Sequence, residues 1–308
     1  MLSPFIRDER ARAVAWKRST VDLSDPARLA ADYYKGNGEI IEGPFDYCLP
    51  AAHAVQNLLP DARAAGLDTF KRLDIAWHAG IRRGPGNHLL DSQVQCVNAL
   101  APQARNPGAL RWLFGEVLPI AELLPIEGEE YVTFEWIGLS DHLGEGHGKT
   151  RVRGSRATSA AAAIRYRSSD GSVEAALIEW RYREDYSDPL LADVGLTEDR
   201  MRHRRPLWDD ELCPLRHDAI DYAELFVEPR FTLFRLQTLA ARMEHTGELE
   251  AERVRLVVAV SGRSRALAAD LARWPGLLHQ PDRFGVVDTD RLLAPDAPSS
   301  SHYRQRYG

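Results

Sequence analysis

Glu179 and Arg181 place an acid and a base one residue apart in Val173-Glu-Ala-Ala-Leu-Ile-Glu-Trp-Arg-Tyr182, a run in which most side chains are apolar. Upstream lies Ala157-Thr-Ser-Ala-Ala-Ala-Ala-Ile-Arg-Tyr-Arg167, joined to it by Ser168-Ser-Asp-Gly171. Asp-Gly between two segments rich in Ile, Val, Tyr and Trp predicts a β-hairpin, because the turn needs the positive φ that these residues tolerate. With the turn centred on Asp170, Ala161 stands across from Glu179; a two-residue Asp-Gly loop would shift that pairing by one residue. The side-chain period of two sends Ala175, Leu177, Glu179 and Arg181 to one face and Ala176, Ile178, Trp180 and Tyr182 to the other. Both faces are mainly apolar, which predicts a central strand. A carboxylate there has to be paired, hydrogen-bonded or metal-bound, since leaving it bare in low dielectric costs on the order of several kcal/mol.

An acid, an apolar spacer and a cation at the end of an Ile-containing strand resembles the Glu-x-Lys half of the PD-(D/E)XK nuclease superfamily. More narrowly, Thr158-Ser-Ala-Ala-Ala-Ala-Ile164 and Ile178-Glu-Trp-Arg-Tyr-Arg-Glu184 are similar to two segments of a group of bacterial restriction endonucleases. In that group the segments read approximately Thr-Ser-Ala-Asp-Ala-Ala-Ile and Ile-Glu-Trp-Lys-Tyr-Thr-Glu. Weaker anchors lie at His88-Leu-Leu-Asp-Ser-Gln-Val-Gln-Cys-Val-Asn98 and Phe134-Glu-Trp-Ile-Gly138. The resemblance implies an α/β fold with a restriction-endonuclease-like αβββαβ core, Mg²⁺ as cofactor, DNA as partner, hydrolysis of phosphodiester bonds and a place in a bacterial defence system with a protein partner. It also implies that Glu179 is a metal ligand and that a polar residue on the helix before the sheet, Gln93 or Gln95, supports the site; Gln95 reads equally as a surface residue.

Two departures fall on the residues that matter. Ala161 occupies the position of the acidic metal ligand, and Arg181 that of the lysine. Alanine cannot hold Mg²⁺, and arginine keeps a positive charge without being able to act as a base. Either the site is degenerate and the chain binds without cutting, or another carboxylate takes the lost one's place. Glu135, in Tyr131-Val-Thr-Phe-Glu-Trp-Ile137, and Glu145, in the glycine-rich loop after it, are the candidates for catalysis and metal binding respectively; Glu174, Glu184 and Asp185 flank the third strand. Each reads more simply as a solvated strand-end charge or a partner of Arg181 and Arg183.

The net charge of −6 excludes a generally basic nucleic-acid binder, but phosphate contacts come from local clusters. Lys149, Arg151, Arg153 and Arg156 lead into the hairpin and are candidate DNA contacts; Arg200, Arg202, His203, Arg204 and Arg205 follow it and read more simply as a solvated face. Gly144-Glu-Gly-His-Gly-Lys-Thr150 falls short of a phosphate loop, with Leu143 where a glycine is needed and no helix pattern after it. Cys48, Cys96 and Cys213 are too few and scattered for a disulfide framework, and Cys213 with His217 lacks a companion pair at zinc-site spacing.

These residues need elements to carry them. Amphipathic spacing predicts helices over 68–79, 88–100, 107–118, 231–245 and 264–274, and strands near 130–138, 158–167, 173–183, 253–261 and 284–287. Helix, three strands, helix, strand is the order the core requires. Residues 1–66 read as a helical N-terminal extension, 67–290 as the core with insertions, and 291–308 as a polar tail, mobile from Ala297. A chain of 308 residues, 44% hydrophobic, can bury a large core. No apolar run reaches membrane-span length and the N-terminus lacks a signal-peptide pattern, which predicts a cytoplasmic protein with no membrane contact.

Overall fold

The computed structural model describes residues 3–36, 38–146, 150–155, 157–183 and 198–308. The chain begins with α1 (Pro4–Ser19), a hairpin of β1 (Ala31–Gly36) and β2 (Glu39–Phe45), α2 (Pro60–Arg72), α3 (Ser92–Leu100) and α4 (Pro107–Phe114). Strands β3 (Ile120–Leu124), β4 (Val132–Trp136), β5 (Ala160–Ser168) and β6 (Val173–Arg181) follow. After α5 (Glu198–Trp208) and α6 (Arg230–Thr246) come β7 (Arg253–Val260), α7 (Arg265–Arg273), β8 (Phe284–Asp288) and α8 (Ser301–Tyr307).

Strands β3 to β8 form one mixed sheet, so the fold is α/β. β5 and β6 are the antiparallel hairpin, in the register centred on Asp170: Ala163 faces Leu177 and Ala162 faces Ile178. β4 and β3 pair with successive halves of the other edge of β5, while β6, β7 and β8 run parallel. β6 is therefore central, flanked by β5 and β7. Its alternation feeds two cores. Ala176, Ile178 and Trp180 pack with Val94 and Val97 of α3, whereas Ala175 and Leu177 pack with Phe234 and Leu239 of α6. Local chemistry sets the helix ends: Asp91 accepts from the Val94 N–H at 2.9 Å, and Asn106 caps α4 with Pro107 in its first turn. Among the described residues no helix is long and apolar enough to cross a membrane.

Four expectations need correction. Residues 31–45, expected to carry only short helical pieces, form a hairpin, because aromatic and β-branched residues such as Tyr33, Tyr34, Ile40 and Ile41 dominate it. Lys17, 2% exposed, holds this unit to the body by donating Nζ hydrogens to the carbonyls of Leu29, Asp46 and Cys48 at 2.8, 3.0 and 2.6 Å. The helix expected at 68–79 starts earlier, at Pro60, and stops at Arg72, with Asp74 at φ 50 turning the chain. The strand β3 and the helix α5 arise in segments without a clear period. Finally, the expected polar tail folds into α8, whose N-cap Ser300 accepts from the Tyr303 N–H.

Tyr303 and Tyr307 are 1% and 2% exposed within the α3 core, and Arg306 donates to the Asn57 carbonyl at 2.5 Å and the Leu89 carbonyl at 3.0 Å. Tyr303→Ala is expected to lower unfolding stability by about 3 kcal/mol, as aromatic truncation in a packed core does, seen as a lower urea midpoint at unchanged m value. A residue in a mobile tail would leave the midpoint where it is.

Candidate active site

The register puts three sequence-selected positions on one rung. β4 pairs Phe134 with Ala162 and Trp136 with Ala160, so Glu135 lies across from Ala161; β5 and β6 pair Ala162 with Ile178, so the next rung brings Ala161 across from Glu179. Glu135 leaves the regular alternation. Its φ is +50, a left-handed backbone that a glutamate rarely adopts, and it directs the side chain toward α3. There it is 1% exposed and accepts three hydrogen bonds: from Gln93 Nε2 at 2.8 Å, Ser159 Oγ at 2.6 Å and His78 Nε2 at 3.1 Å. Gln93 completes the frame by accepting from the His78 backbone N–H at 2.9 Å. The loop carrying His78 docks on residues 151–155, where the Ala76 N–H donates to the Arg153 carbonyl at 2.9 Å. Gly154, at φ +73, permits that approach; a Cβ there would lie 2.1 Å from the Ala76 carbonyl oxygen.

Burial alone would favour the neutral acid at Glu135, but His78 and the hydrogen bonds from His78, Ser159 and Gln93 outweigh it and hold the carboxyl below its usual range. The reciprocal field of Glu135 raises His78 to about 9 against the opposing effect of burial, with Asp91 and Glu179 adding smaller increments. Glu179, 8% exposed, pairs with Arg181 at 2.7 Å, as expected for residues two apart on one strand face. Arg235 of α6 donates to Thr158 Oγ1 at 3.3 Å and feels the charges of both Glu145 and Glu179.

The other selected residues are engaged elsewhere. Glu145 accepts from the Thr158 N–H at 2.5 Å, Thr158 Oγ1 at 2.7 Å and Arg204 at 2.6 Å. Burial works against its charge, yet the Thr158 N–H and Arg204 lower its pKa, so it fastens the 141–146 loop to the start of β5. Arg151 donates to the Ile137 and Gly138 carbonyls at 2.6 and 3.1 Å; Arg153 donates to the Phe134 carbonyl and pairs with Glu127 at 2.6 Å. Both are therefore braces for the end of β4, with their donors turned inward. Arg204 and Arg205 are likewise paired, with Glu145 and Asp209. Glu174 binds Tyr166, Arg253 and Arg255 at the other end of β6, roughly 16 Å along the strand from Glu179. Gln95 is buried, not on the surface, and accepts from Trp180 Nε1 at 2.9 Å. Lys149, Arg156, Glu184 and Asp185 lie outside the described residues, as does the side chain of Arg200.

A nuclease-type Mg²⁺ does not fit these groups. It asks for carboxylate oxygens left open to the ion, whereas Glu135 is ringed by donors, Glu179 is held by Arg181 and position 161 carries a methyl group. Among the described residues no three His, Cys, Asp or Glu side chains converge to hold a metal. Sequence reading missed His78, Ser159 and Arg235. Only Ser159 left a trace, as a polar residue next to the strand's apolar run.

The chain is similar over residues 10–308, nearly its whole length, to the family described as Restriction Endonuclease associating with ARP. It matches no curated protein and no solved structure.

The His78–Glu135 pair gives stability a defined pH window. His78 is raised from 6.5 to about 9, so its contribution is complete below pH 6.5 and is lost as pH rises through 9. Glu135 is depressed below 4.5, so its share is present above that value and is lost as pH falls through the lower folded one. The His78 side chain is 52% exposed, so screening limits the pair to on the order of 1 kcal/mol. Relative to wild type, His78→Asn is expected to unfold more easily by that amount near pH 6, with the difference disappearing above pH 9 in urea titrations.

Proposed function

Because the chain belongs to the family of restriction endonucleases associating with ARP, we propose that it is the DNA-engaging subunit of a bacterial defence assembly, acting beside the partner its family's description calls ARP, through a nuclease site that no longer cuts. The observation that carries this reading is the 2.7 Å contact between Arg181 and Glu179, with Ala161 on the neighbouring strand. A lysine at position 181 would present a compact ammonium group that can take or give a proton once its pKa is lowered. The arginine instead keeps its charge at every working pH and grips the carboxylate. The rung thus keeps the ancestral positions while its charges neutralise one another.

One observation favours a competing reading, an active nuclease in which Glu135 stands in for the missing acid: Glu135 shares the rung with Ala161 and Glu179. A single experiment separates them. The full chain is incubated with labelled plasmid and single-stranded DNA and Mg²⁺ or Mn²⁺, alongside Glu179→Gln, Glu135→Gln and the double variant Ala161→Asp, Arg181→Lys. The proposed reading expects binding without cleavage by wild type and cleavage by the double variant alone. Cleavage by wild type that is lost in both Glu179→Gln and Glu135→Gln overturns it in favour of the active site.

A further inference from the structure

Three residues after His78, the chain begins a tight reversal at Ile81-Arg82-Arg83-Gly84. The Ile81 N–H donates to the Gly84 carbonyl at 3.2 Å, and the Gly84 N–H returns to the Ile81 carbonyl at 2.9 Å. Both central residues are left-handed, Arg82 at φ 54 and Arg83 at φ 64. A two-residue hairpin turn of this hand selects Asn-Gly or Asp-Gly, because residues with larger side chains resist positive φ. Two successive arginines are a poor choice for the backbone. Nor do internal contacts compensate, since Arg82 and Arg83 are exposed and, among the described residues, neither they nor Lys71 make an ion pair or side-chain hydrogen bond. Most other arginines around the site are spent inward.

Beneath the turn lies a cavity of about 690 Å³, lined by Phe70, Lys71, Trp77, Gly80 and Arg83 among others. Phe70 and Trp77 stack on each other with ring centroids 3.9 Å apart and are 2% and 9% exposed, so the lining sets a small area of aromatic surface, chiefly of Trp77, beside free cations. That volume is within the range of ligand sites. Aromatic surface beside unpaired cations suits a nucleotide, and strain at an exposed turn with no structural return points to a function for the residues that bear it.

We propose that the Arg82–Arg83 turn clamps the phosphate backbone of DNA beside the His78–Glu135 end of the sheet, with an adjoining nucleotide entering the cavity lined by Trp77. This rests on the DNA-engaging role given above and moves the contact surface from the 149–156 cluster to the 71–83 segment. The replacement Arg82→Asn with Arg83→Gly removes both charges while giving the turn the residues its backbone favours, so folding and binding are expected to move apart.

The test measures binding of a labelled duplex oligonucleotide to the full chain across a salt series, together with thermal unfolding. The variant is expected to unfold at the same or a higher temperature, to bind at least about tenfold more weakly, and to lose roughly 2 from the slope of log affinity against log salt, one unit per phosphate contact. Replacing Arg7 and Arg18 on α1 by serine, an equal loss of exposed charge, is expected to leave the slope as in wild type. If wild type binds and the Asn-Gly variant binds with the same affinity and slope, the clamp is overturned while the DNA-engaging role stands. If wild type binds no DNA, that role falls and the clamp with it.

Discussion

A carboxylate with 1% of its surface exposed remains charged only if the protein replaces the water it has lost, and Glu135 imposes that condition on one end of the sheet. Its three donors come from separate stretches of chain: the loop after α2, the first turn of α3 and the residue before β5. None of the three can shift without leaving a buried acceptor unsatisfied, which costs more than the bond itself contributes. The left-handed backbone of Glu135 belongs to the same arrangement, since the regular alternation of β4 would turn the side chain away from α3. Arg153 then braces the distorted strand through the carbonyls of Phe134 and Glu135.

The same economy of charge runs through the surrounding residues. Glu179 meets Arg181, Glu145 meets Arg204 and Thr158, and Arg151 meets backbone carbonyls. A cutting site keeps some of its charges unsatisfied until substrate and metal arrive; here most of them already have partners. Among the described residues, Lys71, Arg82 and Arg83 make no ion pair or side-chain hydrogen bond and stand to one side of the rung. The family relation and the paired charges are compatible, because a fold does not dictate the chemistry of the site built on it.

How much of this was legible in the sequence depended on the range of the interaction. The β5–β6 hairpin was readable because its determinants are local: a period of two, an Asp-Gly turn with Gly171 at φ 91, and apolar residues on both faces. The same held for α4, introduced by Asn106-Pro107, and for the body of α3, expected over 88–100 and found from Ser92 because Asp91 caps it. The partners of Glu135 were not readable, because His78 and Gln93 lie 57 and 42 residues away and no local pattern marks them as neighbours. The inward turn of Arg151 and Arg153 was hidden for a related reason: a basic cluster looks the same in sequence whether its donors face carbonyls or solvent. α8 looked like a tail because Ser301-His-Tyr-Arg-Gln-Arg-Tyr307 is polar by composition, while its burial rests on two tyrosines and one arginine.

The N-terminal hairpin has a different standing from the rest. Most of its residues are exposed, and Ile40 and Ile41 remain 47% and 39% accessible; the strands at the centre, by contrast, lie between two cores. Lys17 grips its flanks through three carbonyls, while Asn87 accepts from the Tyr34 N–H and donates to the Asp32 carbonyl and Arg183 donates to the Tyr33 hydroxyl, so β1 is tied to the body and β2 forms the outer edge. The amides of the exposed strand β2 thus reach solvent by local opening, while those of β6 wait for the whole molecule to unfold. The chain accordingly carries two clocks for hydrogen exchange, and the faster one runs in the exposed strand β2.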